Sequence, residues 1–396
     1  MKKRKKRILT GLLIWTLAAV WIVGCTPSSG SKNTGSETQT AQTGPAADRQ
    51  TAKSSSANKD SGQGSTEKIT VFTDDCGRKV KVPARITSTV ASGSLAQIYL
   101  YALAPDTLEA VNGAWTADAK QYVDEKYQNL KQIGSFFGQH DLNYEEIASI
   151  NPQIVIDVGE NKPSMKSDLD DITKKTGIPA VHIDADFNTT GDAYRKLGKL
   201  MNREKKAEEL AAFCDSAYQK AKSAAEKAKK NGGLKKVLYC TQEDGMNVIA
   251  ADSYHSQVLD LLTDNLARLI NPSSQGSGNA VDMEQMLNWN PEIIIFSPDS
   301  YYSYAGSDPN WKMLKAIKNG TYYETPSGPY NWMGSPPSSN RVMGMLWLGK
   351  LLYPDQADYD LEKLTKQYYR LFYHCSLTTD RYNRLVENSI GKEEKK

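Results

Sequence analysis

One long, uninterrupted helical pattern near the middle of the chain constrains the fold more than any other feature. Residues 203–230 contain neither proline nor glycine, and their apolar residues recur at steps of three and four. That spacing predicts an amphipathic helix, which Asn231, Gly232 and Gly233 then end. At 1.5 Å per residue it would be roughly 40 Å long, about the width of two small lobes. It could be a solvated helix on a single domain or a connection between two domains.

A repeat on either side of this helix favours the second alternative. Residues 143–161 and 282–300 align at an offset of 139 residues, which pairs Glu145 with Glu284 and two Asn-Pro dipeptides with each other. Each segment predicts a short helix, an Asn-Pro that ends it and a buried strand. The chain is therefore predicted to be an α/β protein with two Rossmann-like lobes, each with a central, mostly parallel sheet, joined by one long helix.

The N-terminal segment is predicted to direct export. Six basic residues precede an apolar run that ends in Ile22-Val23-Gly24-Cys25, which resembles the lipobox of bacterial lipoproteins. Residues 1–24 are therefore predicted to be a signal peptide and Cys25 to be acylated. A plain signal anchor with an incidental cysteine is the alternative.

Residues 25–67 are predicted to be a lipidated, disordered tether, because residues 26–67 contain no Leu, Ile, Val, Met or aromatic residue. From residue 25 onward, 43 basic residues face 46 acidic ones, so no basic surface for nucleic acid is indicated. The remaining boundaries are predicted at 68–190 for the N-terminal lobe, 191–233 for the linker helix region and 234–396 for the C-terminal lobe with its C-terminal helices.

Motifs for catalysis or for a bare metal ion are absent from the sequence. The four histidines, His140, His182, His255 and His374, are scattered, and no Gly-x-Ser-x-Gly, Walker or dinucleotide pattern occurs. The expectation is no catalytic residue, no protein metal site and no cofactor. The spacing of Cys76, Cys214, Cys240 and Cys375 dictates no disulfide pairing.

Aromatic residues in predicted loops point instead to an organic ligand. Tyr301, Tyr302 and Trp332 lie in loops of the C-terminal half, and Trp115, Phe136 and Phe137 in loops of the N-terminal half. Such side chains would suit a bulky or planar ligand. Arg341, beside a predicted helix N-terminus, could bind an anionic group, or it could form a surface ion pair.

Four segments carry a resemblance to a known family: VFTDDCGRKVKVPARI, IGSFFGQHDLNYEEIASINPQIVI, VDMEQMLNWNPEIIIFS and PYNWMGSPPSSNRVMGMLWLGKLLYP. They resemble the substrate-binding lipoproteins of ABC importers for iron-siderophore complexes, haem and cobalamin, over roughly residues 68–390. In that family one glutamate from each lobe docks onto the permease, which implies this role for Glu145 and Glu284. The ligand positions that the resemblance implies, together with the aromatic residues and Arg341, are Ser92, Ser94, Asn112, Trp115, Phe136, Phe137, Glu160, Tyr254, His255, Tyr301, Tyr302, Asn331, Trp332 and Arg341.

The sequence thus predicts a monomeric, extracytoplasmic solute-binding lipoprotein, held at the membrane through Cys25. It would capture an iron complex, such as a ferric siderophore or haem, and deliver it to a dimeric ABC permease. The same fold could instead bind cobalamin or an oxyanion such as molybdate. The alternatives from other classes are an exported lyase or hydrolase and an adhesive surface lipoprotein.

Overall fold

The computed structural model describes residues 68–136 and 141–390. The predictions for the signal peptide, for the tether, for Cys25 and for Phe137 lie outside these residues. The strands are β1 Ile69–Thr73, β2 Lys79–Pro83, β3 Thr89–Ala91, β4 Ala110–Val111, β5 Lys131–Gln132, β6 Ile154–Gly159, β7 Ala180–Asp184, β8 Lys236–Thr241, β9 Asn247–Val248, β10 Asp264–Asn265, β11 Asn279–Ala280, β12 Ile293–Phe296 and β13 Tyr322–Glu324.

The helices lie between and after these strands. They are α1 Ser94–Leu103, α2 Ala117–Lys120, α3 Tyr144–Ile150, α4 Met165–Thr176, α5 Thr190–Met201, α6 Glu204–Lys230, α7 Gln257–Leu262, α8 Met283–Trp289, α9 Tyr302–Ala305, α10 Lys315–Lys318, α11 Arg341–Leu352, α12 Leu361–Phe372 and α13 Thr379–Leu385. Three short 3₁₀ turns lie at Pro105–Thr107, Glu125–Tyr127 and Trp311–Met313.

Each half of the chain has a sheet that is wholly or mostly parallel. In the N-terminal half, β3, β6 and β7 form a parallel sheet in that order, and β4 pairs in parallel with β5. The N-terminal hairpin is the antiparallel pair of β1 and β2. In the C-terminal half the order is β11-β9-β8-β12-β13, with β10 also paired to β8, and only the β9 pairings are antiparallel. The predicted fold class is therefore confirmed.

Helix α6 is the predicted long helix, and it begins one residue later than predicted. It packs against α5 and α1 of the N-terminal half and against α7, α11 and α12 of the C-terminal half. Gly198 allows α5 to approach closely, since a Cβ there would lie 2.3 Å from the Cβ of Ala207. One continuous apolar cluster extends from the strands of the N-terminal half through Leu210 and Ala211 of α6 to Leu346 of α11.

The two repeat segments have the same local structure. In each, the helix (α3 or α8) begins at a residue whose side chain caps it, Asn143 or Asp282. Each then ends at an asparagine in the left-handed region, Asn151 with φ 52° and Asn290 with φ 47°. A proline follows, and then a buried strand, β6 or β12. The repeat in the sequence is thus a repeat in three dimensions.

Candidate functional site

A cavity of about 280 Å³ lies between the two lobes. The end of β6 and the first residues of α1 and α4 form its wall in the N-terminal lobe, with Ser94, Asp157, Glu160 and Lys162 among the lining residues. Tyr254, His255 and Pro336 contribute from loops of the C-terminal lobe. This position, beyond the carboxyl ends of parallel strands, is where open α/β sheets bind ligands.

Asp157 at the floor of this cavity belongs to a buried polar network. Strand register places Asp157 of β6 directly beside His182 of β7, and the Oδ2 atom of Asp157 lies 2.6 Å from the Nδ1 atom of His182. The hydroxyl of Ser92, just after β3, donates to Oδ1 of the same carboxylate. Asp157 is 5% exposed and His182 is fully buried. Three neighbouring strand ends therefore hold one carboxylate in a fixed orientation.

These three residue types also occur in serine hydrolases, but here their order differs. In the Ser-His-Asp triad an imidazole takes the proton of the serine, and the carboxylate lies behind that imidazole. In this protein Asp157 stands between Ser92 and His182, so the serine hydroxyl donates to the carboxylate instead. The order of contacts therefore differs from that of the Ser-His-Asp triad.

Tyr254 connects the two lobes beside the cavity. Its hydroxyl donates to the carbonyl oxygen of Ala185 in the N-terminal lobe, over 2.7 Å. Burial raises the pKa of the phenol. The guanidinium of Arg341 lies 4.7 Å from the centre of the Tyr254 ring, and it donates to the carbonyl of Tyr254 over 3.2 Å and to Oε1 of Gln257 over 2.5 Å. Tyr254 thus separates Arg341 from the cavity.

Arg341 is a buried cation without a carboxylate partner among the described residues. It is 2% exposed, and its Nε atom has no hydrogen-bond partner. The surface ion pair considered from the sequence is therefore not formed. At the start of α11, the Asn340 side chain does not cap the helix, because it accepts from the Ser338 N–H and donates to the Asn331 carbonyl instead.

His255 occupies the wall of the C-terminal lobe. Its Nδ1 atom lies 3.2 Å from the carbonyl oxygen of Gly334, and its ring lies so close to Gly276 that an added Cβ would approach within 2.8 Å. Burial lowers the pKa of this histidine, which favours the neutral imidazole at neutral pH. His255 can therefore offer a hydrogen bond to a ligand with little positive charge.

A second, larger cavity of about 660 Å³ has Gly276 and Ser335 in its lining. It is lined mainly by the C-terminal half, including Asn331, Tyr330 and Tyr239, and by Thr116 and Asp118 from the N-terminal half. The Nδ2 atom of Asn331 donates to the Tyr239 hydroxyl over 2.9 Å. This cavity also spans both lobes.

The structure divides the predicted ligand residues into three sets. Those on the wall of the smaller cavity are Ser94, Glu160, Tyr254 and His255, and Asn331 lines the larger one. Ser92 and Arg341 lie one layer behind the smaller cavity. The side chains that lie elsewhere are Asn112, Trp115, Phe136, Tyr301, Tyr302 and Trp332.

Most of the side chains that lie away from both cavities make contacts that stabilise the fold. Asn112 joins the end of β3 to a loop by donating to the carbonyls of Ala91 and Gly134. Trp115 donates to the Tyr127 carbonyl over 3.0 Å in the core, and Trp332 is 1% exposed.

Tyr301, Tyr302 and Phe136 pack at the margins of two smaller apolar clusters, one in each half of the chain. Hydrogen bonding to Asp308, followed by burial, raises the pKa of Tyr301. This favours the neutral phenol over the phenolate.

Glu145 and Glu284 occupy equivalent positions on the two lobes. Each is exposed and lies in the first turn of its helix, α3 or α8. Within the described residues, no group of three or more His, Cys, Asp or Glu side chains is placed to hold a metal ion. The four cysteines that the structure describes are free thiols. No helix in residues 68–136 and 141–390 is long and apolar enough to cross a membrane.

Comparison with known proteins identifies the family of this chain. The model of the "Periplasmic binding protein" family matches residues 94–329, which is more than half of the chain. The chain belongs to this family.

Two curated relatives are also binding proteins. The molybdate-binding protein MolA of Haemophilus influenzae is 24% identical over 339 residues, which cover 78% of this chain and 92% of that protein. The Fe(3+)-citrate-binding protein YfmC of Bacillus subtilis is 22% identical over 281 residues, or 68% of this chain and 82% of that protein. An ABC transporter solute-binding protein from Sulfurospirillum deleyianum has the same fold, with a TM-score of 0.74, 24% identity, and 80% and 99% of the two chains covered.

Proposed function

We propose that this protein is an extracytoplasmic solute-binding lipoprotein, anchored through acylated Cys25, that captures a compact iron complex between its lobes. It then delivers that complex to an ABC permease, which it contacts through Glu145 and Glu284. The observation that carries the proposal is the cavity between the lobes, lined by Asp157, Tyr254 and His255.

The size of the cavity favours a compact ligand. Pockets for small molecules measure roughly 300–1,000 Å³, so a cavity of about 280 Å³ lies at the lower end of that range. A ferric complex of a small hydroxycarboxylate or a short siderophore suits such a volume better than haem or cobalamin. A larger chelate would instead bind in the larger cavity, which measures about 660 Å³.

The chemistry of the wall favours a metal that arrives with its own ligands. The described residues provide no group of three metal-binding side chains, whereas hydroxyl, imidazole, carboxylate and ammonium groups all line the smaller cavity. Such groups can hydrogen-bond to the oxygen atoms of a chelate without replacing them. The similarity to a Fe(3+)-citrate-binding protein supports this interpretation.

An oxyanion is the second candidate, and one observation favours it. Helix α1 begins at the cavity, and no side chain caps its N-terminus, where the N-cap residue is Gly93. Helix N-termini attract anions through their free amides and the helix dipole. The similarity to a molybdate-binding protein is consistent with this alternative.

Calorimetric titration of the purified protein with ferric citrate, a ferric catecholate, haemin, cobalamin and molybdate tests the proposal. We expect saturable one-to-one binding of a small ferric complex and no binding of haemin or cobalamin. Binding of molybdate alone would replace the iron proposal by the oxyanion one. Turnover of a bound compound would instead support the alternative of an exported enzyme.

A further inference from the structure

The carboxylate of Asp157 has hydrogen-bonding capacity that the protein leaves unused. One oxygen accepts from Ser92 and the other lies 2.6 Å from His182. A carboxylate offers about four acceptor sites, and in the described part of the chain these two side chains are its only side-chain donors. Asp157 also lines the cavity. At least one acceptor site is therefore available to a ligand.

The surroundings of His182 indicate that this carboxylate carries its charge. The Nε2 atom of His182 is buried and has no hydrogen-bond partner among residues 68–136 and 141–390. An imidazolium would bury an unpaired N–H together with its charge, whereas the neutral ring protonated at Nδ1 leaves only an unused lone pair. The neutral tautomer donates to Asp157. The Ser92, Asp157 and His182 group thus bears one negative charge.

Of the nearby charged side chains, Arg78 has carboxylate partners of its own, Asp74 and Asp170. Lys162 and Glu160 line the same cavity and oppose each other in sign. A ligand that reaches the floor therefore meets an ionised, largely desolvated acceptor, next to the α1 N-terminus, which favours negative charge.

We infer that the cavity selects an anion that still carries a proton-donating group, such as a hydroxyl or ammonium, and directs that donor to Asp157. This inference rests on the proposed function and narrows its ligand class. A chelate with a free hydroxyl beside its metal-binding oxygens fits the floor. A fully deprotonated oxyanion does not, because its oxygen atoms would face the carboxylate and repel it.

Molybdate and hydrogen arsenate form a matched pair of probes. Both are tetrahedral dianions at mildly alkaline pH, but only hydrogen arsenate carries a proton. The comparison uses the full-length protein and its Asp157→Asn variant, which keeps the shape of the side chain and removes its charge. Calorimetry would measure both affinities in each protein.

We expect the wild-type protein to prefer hydrogen arsenate by roughly 10- to 100-fold, the usual contribution of a hydrogen bond to a charged group. Asp157→Asn should remove most of this preference, chiefly by strengthening molybdate binding. Glu160→Gln is the control, since losing the more exposed carboxylate should change both affinities by a similar factor. The same ratio of affinities in the wild-type protein and Asp157→Asn would overturn the inference, and so would failure of both proteins to bind either probe.

Nitrogen-15 NMR of labelled histidine gives a second test that needs no ligand. The His182 signal, assigned by its loss in His182→Gln, should show a neutral ring protonated at Nδ1 at neutral pH. An imidazolium signal would overturn the inference, because the network would then be neutral overall. If ferric citrate binds but the ratio test fails, the proposed function stands without this selectivity. If no ferric complex binds, the proposed function itself fails.

Discussion

Replacing Glu145 and Glu284 together by glutamine should abolish uptake while leaving the folded protein and its ligand affinity intact. Both side chains are exposed and lie in the first turn of a short helix, at equivalent positions in the two lobes. Neither lines the cavities between the lobes. Two equivalent carboxylates are what a two-fold symmetric membrane partner can recognise.

The expected effect on docking is much larger than the effect on folding. A hydrogen bond to a charged group contributes about 1.5–3 kcal/mol, so losing two such contacts with the permease should weaken docking by roughly 10²- to 10⁴-fold. A carboxylate in the first turn stabilises a helix by about 0.3–1 kcal/mol. Each substitution should therefore lower the free energy of unfolding by no more than about 1 kcal/mol.

Uptake of the labelled ligand by cells, calorimetry and urea unfolding would measure the three effects separately. Glu146→Gln is the matched control, because Glu146 lies in the same helical turn but is half-buried and bonded to Lys131 over 2.6 Å. It should leave uptake near the wild-type level. Normal uptake by the double variant would refute the assignment of these two residues to permease docking.

Three further predictions concern the linker helix and the cavity. Leu210→Ala in α6, at a fully buried position, should lower the free energy of unfolding by about 2–5 kcal/mol in urea titration, and a loss below about 1 kcal/mol would contradict the packing described. Tyr254→Phe removes the hydroxyl that donates to Ala185 across the lobes and should destabilise the protein by about 1 kcal/mol in thermal unfolding, whereas an unchanged midpoint would show that this bond contributes nothing. Burial lowers the pKa values of His255 and His374 in the folded protein. As the pH falls, these histidines therefore bind protons at a higher pH in the unfolded chain than in the folded protein. Their contribution to stability is complete above about pH 6.5 and is lost progressively below it. His255→Gln should reduce this acid dependence without removing it, because His374 remains, and an unchanged dependence would count against the buried position of His255.

Local sequence patterns predicted the fold well because they report local physics. The apolar face of residues 204–230 and the glycines after it define α6 almost to the residue. The two Asn-Pro dipeptides end α3 and α8, since asparagine tolerates the left-handed conformation and proline cannot extend a helix. Both signals lie within a few residues of the structure that they determine.

The walls of the cavity were less predictable, because burial depends on contacts far apart in the chain. Trp115 and Trp332 occur in loops, which suggested a ligand surface, but Trp115 packs in the interior against Tyr101 and Tyr330. The reverse holds for Asp157 and His182, which are separated by 25 residues and meet only through the register of β6 and β7. The available signal was a polar residue within each of two mainly apolar strands, Asp157 in IVIDVG and His182 in AVHID.

The shared core bears on how a ligand enters. Helix α6 contributes to one apolar cluster that continues into both lobes, so a large opening about this helix would expose core side chains. The polar bonds across the cleft are weaker: Tyr254 to Ala185, over 2.7 Å, and Ser338 to Leu95, over 3.1 Å. Each contributes about 0.5–1.5 kcal/mol. Opening should therefore break the bonds near the cavity and leave the apolar packing around α6 in place.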